Sequence, residues 1–405
     1  ARKVTSRCWP PGRSLSYGDR TGRCKLPGAP CQPAPGDVTQ RRARAERAPI
    51  FTLAPVVLAA IIPPHRSRSA GLHDGGAVPP LPHCACLATN RRRDDGKTMI
   101  VIARRVGQLG NRLTLFAHFI ACARDNNVTV CNPAFHEYAR HFETTRRQPV
   151  SCYQPAGRAV VDHRKEPSEF TRSFLYQATY LPSRLLAAIG CTRWPVRVIR
   201  IRMNESYNLG DPEFSAILAR HSIVVVHGWL FRDHAALARH ADAIRDFFRP
   251  AAGHAEGVAR ILAEARGRGD VVVGLHVRQG DYRTAFGGKY YYTVAQYQAI
   301  MRRIEHHFAP RQVTFLVCGD QLDQTDWPLG GNVIHGAGHA VEDMYAFAGC
   351  DYLAGPPSTF TGWASFYGNV PLCPLLSADA EIRFRYNFSP DFESMQVMMP
   401  PFLIM

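Results

Sequence analysis

The stretch VVVGLHVRQGDY, residues 271–282, joins an apolar run to three chemically distinct side chains at its end. A continuous run such as Val271 to Val273 is typical of a strand that is covered on both faces. His276 and Arg278 alternate with apolar neighbours, so both side chains point to one face of the strand. Ligands in open α/β sheets bind outside the carboxyl ends of the strands. The stretch therefore predicts a sheet with a polar site at its edge.

Strand and helix patterns alternate along the chain from Met99 onward. Phe116, Phe119, Ile120 and Ala123 recur at the spacing of one helix face, which indicates a helix packed on a sheet. The other patterns are strands at 99–103, 128–132, 222–229, 270–277, 312–319, 332–335 and 351–355, and the helical segments GVARILAEARGR, TVAQYQAIMRRIEHHF and VEDMYAFAGC. This alternation predicts an α/β protein with parallel sheets flanked by helices.

Composition divides the chain into three parts. Residues 1–98 carry 17 Lys and Arg against 6 Asp and Glu, a net charge of +11 out of +16. This Arg- and Pro-rich extension can bury little apolar surface, so we expect it to be disordered and dispensable. We expect two domains, 99–250 and 251–405, joined at the softer stretch FRPAAGHAEG (248–257). Because most of the charge lies outside both domains, we expect no nucleic-acid partner.

The run APIFTLAPVVLAAIIPP (48–64) has no charged residue and follows a basic cluster, a pattern that resembles a type II membrane anchor. It is short for a membrane span and contains four prolines. We therefore expect a protein that is cytoplasmic or peripheral at a membrane, with the anchored form as the alternative.

The 12 cysteines show no disulfide framework, because those after residue 98 are scattered singly. The CxC at Cys84 and Cys86 has no matching second pair, so a zinc site is not expected there. Buried thiols in a reducing compartment are the simpler interpretation.

A turn with two glycines, GQLGN (107–111), lies between the first strand and the first helix. Gly107 and Gly110 allow close approach of a ligand to the backbone. The helix N-terminus supplies unpaired N–H groups and the positive end of a dipole. Asn111 and Arg112 are placed to face a cleft, and the alternative role of Asn111 is to cap the helix.

Arg278 and Asp281 follow the strand that is predicted at 270–277. Arg278 offers a rigid fork that matches phosphate oxygens, and Asp281 can orient it or accept a proton. The alternative is a structural Arg–Asp pair that fixes the turn.

The stretch GPPSTFTGWASF (355–366) opens another helix after a strand. Ser358, Thr359 and the adjoining N–H groups would cradle a phosphate, or either side chain would simply cap the helix. Asp343, one helix earlier, would accept hydrogens from guanine, or would be an acid favoured by the helix dipole.

The order G-x-x-G-N, H-x-R-x-x-D-Y and D-M-Y…S-T-F resembles the fucosyltransferases that share an arginine-containing H-x-R motif, and most of all the alpha-1,2-fucosyltransferases, glycosyltransferase family 11. The similarity runs from about Met99 to Leu376. The resemblance implies two facing Rossmann-like domains of GT-B type and inverting transfer from GDP-fucose, with no metal or other cofactor. The implied acceptor is an oligosaccharide or glycoconjugate, at the 2-hydroxyl of a galactoside.

The resemblance also assigns roles to single residues. Arg278 and Asn111 are implied at the catalytic site, where Asp281 is a catalytic candidate by its own chemistry. The implied donor-binding residues are His276, Arg278, Asp343, Ser358, Thr359, Phe360 and Gly110. Arg278 matches the arginine that grips the β-phosphate. Many members have a second arginine after it, whereas this chain has Gln279.

The general base and the acceptor side are less defined. Asp281 is one candidate base, and Asp233 and His227 in the segment VVHGWLFRD are others. Trp229 in the same segment would be a sugar platform or a packed core residue. Two alternative functions stay open: transfer of another nucleotide-linked sugar, and GDP binding without catalysis.

Overall fold

The computed structural model describes residues 98–155, 165–190, 192, 194–202, 205–319 and 332–385. The extension predicted for residues 1–98, all but its last residue, and the anchor-like run at 48–64 lie outside these ranges. None of the helices within them is long and apolar enough to cross a membrane.

The strands in these ranges are β1 Met99–Ile102, β2 Thr129–Asn132, β3 Ser151–Tyr153, β4 Val196–Arg200, β5 Tyr207–Asn208, β6 Ile223–His227, β7 Phe231–Arg232, β8 Val271–Val277, β9 Val313–Gly319, β10 Val333–His335, β11 Tyr352–Gly355 and β12 Leu372–Pro374. The α-helices are α1 Leu109–Asn126, α2 Glu169–Ala188, α3 Pro212–Arg220, α4 His234–Arg239, α5 Ala241–Phe247, α6 Ala252–Arg266, α7 Val294–Phe308, α8 Ala340–Phe347 and α9 Thr359–Gly368. All seven strands predicted from the sequence are present, with ends that differ by two residues at most.

The strands form two five-stranded sheets and one small pair, β5 with β7. The first sheet has the order β3-β2-β1-β6-β4, and its strands are parallel except for β3. The second sheet has the order β10-β9-β8-β11-β12 and is parallel throughout. In its own chain order this is 3-2-1-4-5, the arrangement of a Rossmann fold. The predicted α/β class with two Rossmann-like sheets is therefore confirmed.

The stretch 248–257 is not the soft connection that its composition suggested. Helix α6 begins at Ala252, and Phe248 before it is fully buried. The ring of Phe248 packs edge-on against Phe116 at 5.6 Å and against Trp363 at 5.2 Å between ring centroids. The Tyr345 hydroxyl donates a hydrogen bond to the carbonyl of Phe248. One hydrophobic core thus runs through both predicted ranges, and the boundary at residue 250 stays a prediction.

Helix α2 was not predicted from the sequence, because its apolar side chains are exposed and its polar ones are buried. Polar or amphipathic side chains form its buried face, among them Arg172 and Thr179. Large apolar side chains lie outside, such as Phe170 at 81% exposed and Leu185 at 66%. Hydrophobic periodicity predicts which face a helix buries only when the buried face is apolar.

The six cysteines in the described ranges are all free, and five of them are buried. For these residues the interpretation of buried thiols holds.

Candidate functional site

The candidate site lies at the carboxyl edge of the second sheet, where β8 and β11 end side by side. His276 comes one residue before the end of β8, and Gly355 is the last residue of β11. A Cβ atom on Gly355 would lie 2.8 Å from the Cβ of His276. Only glycine therefore allows the two strand ends to approach this closely.

His276 is a buried imidazole with unused hydrogen-bonding capacity. Its side chain is 4% exposed, and its Nδ1 atom has no hydrogen-bond partner among the described residues. The ring stacks on Phe360 with centroids 5.0 Å apart. Burial, with a smaller contribution from the charge of Arg278, lowers the pKa of His276 well below its usual value. The ring is therefore neutral at physiological pH and can bind a ligand through one nitrogen.

Arg278 directs its guanidinium into the loop that follows β8. Its Nη2 atom donates to both carboxylate oxygens of Asp281, at 2.7 and 2.9 Å, and the guanidinium lies over the Tyr282 ring. The structural Arg–Asp pair that the sequence left as an alternative is thus formed. The Asp281 side chain is 60% exposed, so the pair is partly solvated and contributes little to stability. Gln279 turns away and donates to the carbonyl of Tyr292.

The loop before α9 is fixed by side-chain contacts. Ser358 is the N-cap of α9, and its hydroxyl accepts a hydrogen bond from the Phe360 N–H at 3.1 Å. The Thr361 hydroxyl donates to the carbonyl of Ser358, and the Tyr282 hydroxyl donates to the carbonyl of Pro357. Ser358 therefore has the capping role, while Thr359 is left for another contact.

The first turns of α1 and α9 meet at this edge. The Thr359 hydroxyl donates to Oδ1 of Asn111 at 2.7 Å. A Cβ on Gly110 would lie 2.8 Å from the backbone of Thr359, so glycine is again required for the approach. Neither helix has an acidic residue in its first turn. Two positive dipole ends thus converge, which favours binding of an anion.

The capping role left open for Asn111 is not observed. The N-cap of α1 is Gln108, and Asn111 lies inside the first turn. Arg112 is 8% exposed and does not face the cleft that its sequence position predicted. Its guanidinium donates to the Gly107 carbonyl at 3.1 Å and to the Glu137 carboxylate at 2.6 Å. Arg112 therefore holds the glycine turn in place from beneath.

Asp343 is a buried carboxylate in the first turn of α8. It is 7% exposed, and its Oδ1 atom has no hydrogen-bond partner among the described residues. Burial raises its pKa to about 6, while backbone N–H groups of Ala337 and Gly338 act in the opposite direction. A Cβ on Gly336 would lie 2.4 Å from Oδ1, so only glycine fits beside this carboxylate. An unpaired buried acceptor is costly, and N–H donors of a ligand would offset that cost.

Two of the three candidates next to the first sheet have structural roles. Asp233 caps α4, because its Oδ1 accepts from the Ala236 N–H at 2.8 Å. Trp229 is 5% exposed, with the Arg232 guanidinium 5.0 Å from its ring centroid. The structure therefore shows the packed tryptophan, not the sugar platform. His227 is buried, and burial, assisted by the charges of nearby arginines, lowers its pKa to about 4.

No family model matches the chain, and no curated protein matches it. It is similar to solved structures of fucosyltransferases. A mutant of FUT1 from Arabidopsis thaliana in complex with GDP is 13% identical, with a TM-score of 0.44 over 71% of this chain and 73% of that one. The alpha-1,6-fucosyltransferase NodZ soaked with GDP-fucose is 18% identical, with a TM-score of 0.42 over 71% and 99%. POFUT1 in complex with GDP-fucose is 11% identical, with a TM-score of 0.37 over 68% and 95%.

Proposed function

We propose that this chain is a glycosyltransferase that moves L-fucose from GDP-fucose to a hydroxyl of a glycan. The observation that carries the proposal is a row of binding groups along one sheet edge. Asp343 lies beside Cys318 of β9, Cys318 pairs in register with His276 of β8, and the His276 ring stacks on Phe360 of α9. The residue before Phe360, Thr359, bonds Asn111 of α1. This order suits a base, a diphosphate and a sugar laid end to end.

Asp343 supports guanine as the base at the first end of the row. Guanine presents adjacent ring and amino N–H groups, which the two oxygens of one carboxylate can accept, and Oδ1 of Asp343 has no partner among the described residues. Adenine and uracil do not offer this pair of donors to an acid. A buried acceptor that only one base satisfies also gives discrimination, because the wrong base leaves it unpaired.

The middle of the row supports binding of the diphosphate. The N-termini of α1 and α9, the neutral imidazole of His276 and the guanidinium of Arg278 all favour oxygen anions. Negative charge grows on the diphosphate as the bond to fucose breaks. Preorganised donors therefore stabilise the transition state more than the bound substrate.

The sugar and the acceptor would lie beyond Asn111, at the far end of the row. Of the three candidate bases, Asp281 is the most exposed, whereas Asp233 caps a helix and His227 is buried. We therefore assign proton removal from the acceptor to Asp281. The motif resemblance supports an inverting alpha-1,2 linkage to the 2-hydroxyl of a galactoside.

The direct test is incubation of the full chain with GDP-fucose and a panel of galactosides, with the linkage of the product determined by NMR. Fucose on the 2-hydroxyl would support the proposal in full, and fucose elsewhere would support only the donor. Transfer from another GDP-sugar alone would favour the first alternative function. Tight GDP binding without turnover would favour an inactive protein, which the replacement of the second arginine by Gln279 makes the second candidate.

Leaving-group stabilisation by protein groups also predicts that no metal is needed at the phosphates. We expect the initial rate at 25 °C to be unchanged by EDTA, as long as the protein stays folded. A rate that is lost with EDTA and restored by Mg²⁺ or Mn²⁺ would contradict this role for Arg278 and the helix N-termini.

A further inference from the structure

Three histidines from distant parts of the chain converge beside α8. His141 ends a 3-10 turn after β2, His254 lies in the first turn of α6, and His339 is the N-cap of α8. One ring nitrogen of each lies within 4.8 Å of those of the others. The rings of His254 and His339 stack with centroids 4.6 Å apart, and His141 lies 5.0 and 5.2 Å from them.

A carboxylate orients one member of this cluster. Nδ1 of His254 lies 2.9 Å from Oε1 of Glu342, which follows His339 by one turn of backbone. A carboxylate on one ring nitrogen fixes the proton there and leaves the other nitrogen as a ligand, the usual arrangement around metal-binding histidines. Glu342 is packed in place, since a Cβ on Gly257 of α6 would lie 2.6 Å from its Oε2.

The remaining ring nitrogens lie close together. Nδ1 of His141 lies 2.8 Å from Nε2 of His254, and Nδ1 of His339 has no hydrogen-bond partner in the described part of the chain. Two nitrogens on a tetrahedral zinc ion are separated by about 3.3 Å, given Zn–N bonds of about 2.0–2.1 Å. Small side-chain rotations would therefore bring all three to bonding distance. All three residues are partly exposed, so a water molecule can take a fourth position.

We infer that His141, His254 and His339 form a zinc-binding site, with Glu342 orienting His254. Three neutral imidazoles suit Zn²⁺ better than Mg²⁺ or Ca²⁺, which prefer oxygen ligands. The site does not depend on the proposed transfer reaction. Glu342 faces α6, while the next residue, Asp343, faces Gly336 on another side of α8.

The zinc ion would clamp three elements that approach only in the folded chain. It would join the 3-10 turn at Ala139–His141 to the starts of α6 and α8. A ligand that binds the folded state alone stabilises it by mass action, by about 2.7 kcal/mol at a free concentration of 100 times Kd. We therefore expect zinc to raise the melting temperature.

The test uses the full chain without an affinity tag, stripped with EDTA and then dialysed. Titration calorimetry with Zn²⁺ should give one tight site, and Co²⁺ should give the visible d–d bands of a tetrahedral complex. Thiolate charge-transfer bands should be absent, which distinguishes this site from cysteine ligands elsewhere in the chain. Mg²⁺ should not bind.

His339→Ala should abolish this binding and leave the metal-free protein folded, because the His339 side chain makes no cap hydrogen bond. Glu342→Gln should weaken zinc binding by about 10–100-fold, as for other orienting carboxylates. His306→Ala, an exposed residue of α7, is the matched control and should bind as the wild type does. Circular dichroism checks the fold of each variant.

Two results would overturn the site. One is that His339→Ala binds zinc with wild-type affinity, and the other is that the wild type shows no site tighter than millimolar.

Discussion

Some of the polar residues near the ends of the strands have different roles in the two sheets. Next to the second sheet, His276 and Asp343 are buried with a polar atom that no described residue bonds. Next to the first sheet, Asp233 caps a helix and Trp229 packs under Arg232. Buried polar groups without partners are costly to stability, and a bound ligand is one way to offset that cost. His227 at the end of β6 also has a buried nitrogen, Nε2, that no described residue bonds, so the contrast rests on Asp233 and Trp229, which are used by the fold, whereas His276 and Asp343 are open to a ligand.

Substitution of Arg278 is the strongest test of this comparison. Arg278→Lys keeps the charge but removes the planar fork, so we expect a loss on the order of 10²–10³ in kcat, about 3–4 kcal/mol. Thermal stability should change little, because the pair with the exposed Asp281 is worth at most about 1 kcal/mol. The measurements are steady-state kinetics and melting temperature.

Arg283→Lys is the matched control for this change. Its guanidinium stacks on Tyr291 at 5.0 Å, much as that of Arg278 stacks on Tyr282 at 4.9 Å. If kcat of Arg278→Lys stays normal while its melting temperature falls, Arg278 is structural, and the two sheets do not differ as proposed.

Asp343→Asn should separate binding from stability. The variant loses the carboxylate that would accept the guanine N–H groups, so we expect GDP to bind at least about 10-fold more weakly. At pH 8 it should be more stable than the wild type, by up to about 2 kcal/mol, because it no longer buries a charge. Calorimetry with GDP measures the change in binding, and thermal melts measure the change in stability. Asp351→Asn is the control, because Asp351 lies at the amino end of β11, away from the site.

The pH dependence of this stability follows from the direction of the shift. The pKa of Asp343 is raised to about 6 in the folded state, above about 3.9 for an unfolded chain. The folded state therefore holds the proton more tightly, and stability from this group is lost as pH rises from about 4 to about 6. The advantage of Asp343→Asn should disappear near pH 4. An advantage that persists there would contradict the role of the buried charge.

The smallest effect is expected beside the first sheet. Asp233→Ala removes a helix cap, so we expect a loss of about 1 kcal/mol in stability with kcat within about two-fold of wild type. Asp211→Ala is the control, since Asp211 occupies the N-cap of α3 without a side-chain cap bond. A large fall in kcat with an unchanged melting temperature would instead make Asp233 the general base.

The strands and the glycine-rich edges could be predicted because their signals are local. The apolar run of β8 and the polar pair His276 and Arg278 lie within a few residues, and the sheet follows from alternation. The choice between a cap and a ligand contact was not local. Ser358 caps α9, whereas Thr359 reaches Asn111, 248 residues away. Sequence spacing carries no information on such a contact.

Helix α2 and the histidine cluster could not be predicted from local sequence patterns, for different reasons. Helix α2 buries Arg172 and exposes Phe170, so hydrophobic periodicity pointed to no core-facing side. The histidine cluster joins positions such as His141 and His254, which are 113 residues apart and have no common motif. Only the tertiary fold brings these side chains together.

The packing around Phe248 has a consequence for engineering chimaeras. Proteins with two sheets are natural subjects for recombination, in which one half is exchanged for that of another protein. In this chain the Phe248 ring contacts Phe116 from one half and Trp363 from the other, and the Tyr345 hydroxyl holds its carbonyl. A crossover at residue 250 would take these aromatic neighbours from different parents, and the aromatic side chains would then pack poorly. Working hybrids would need the aromatic set transferred together with the incoming half.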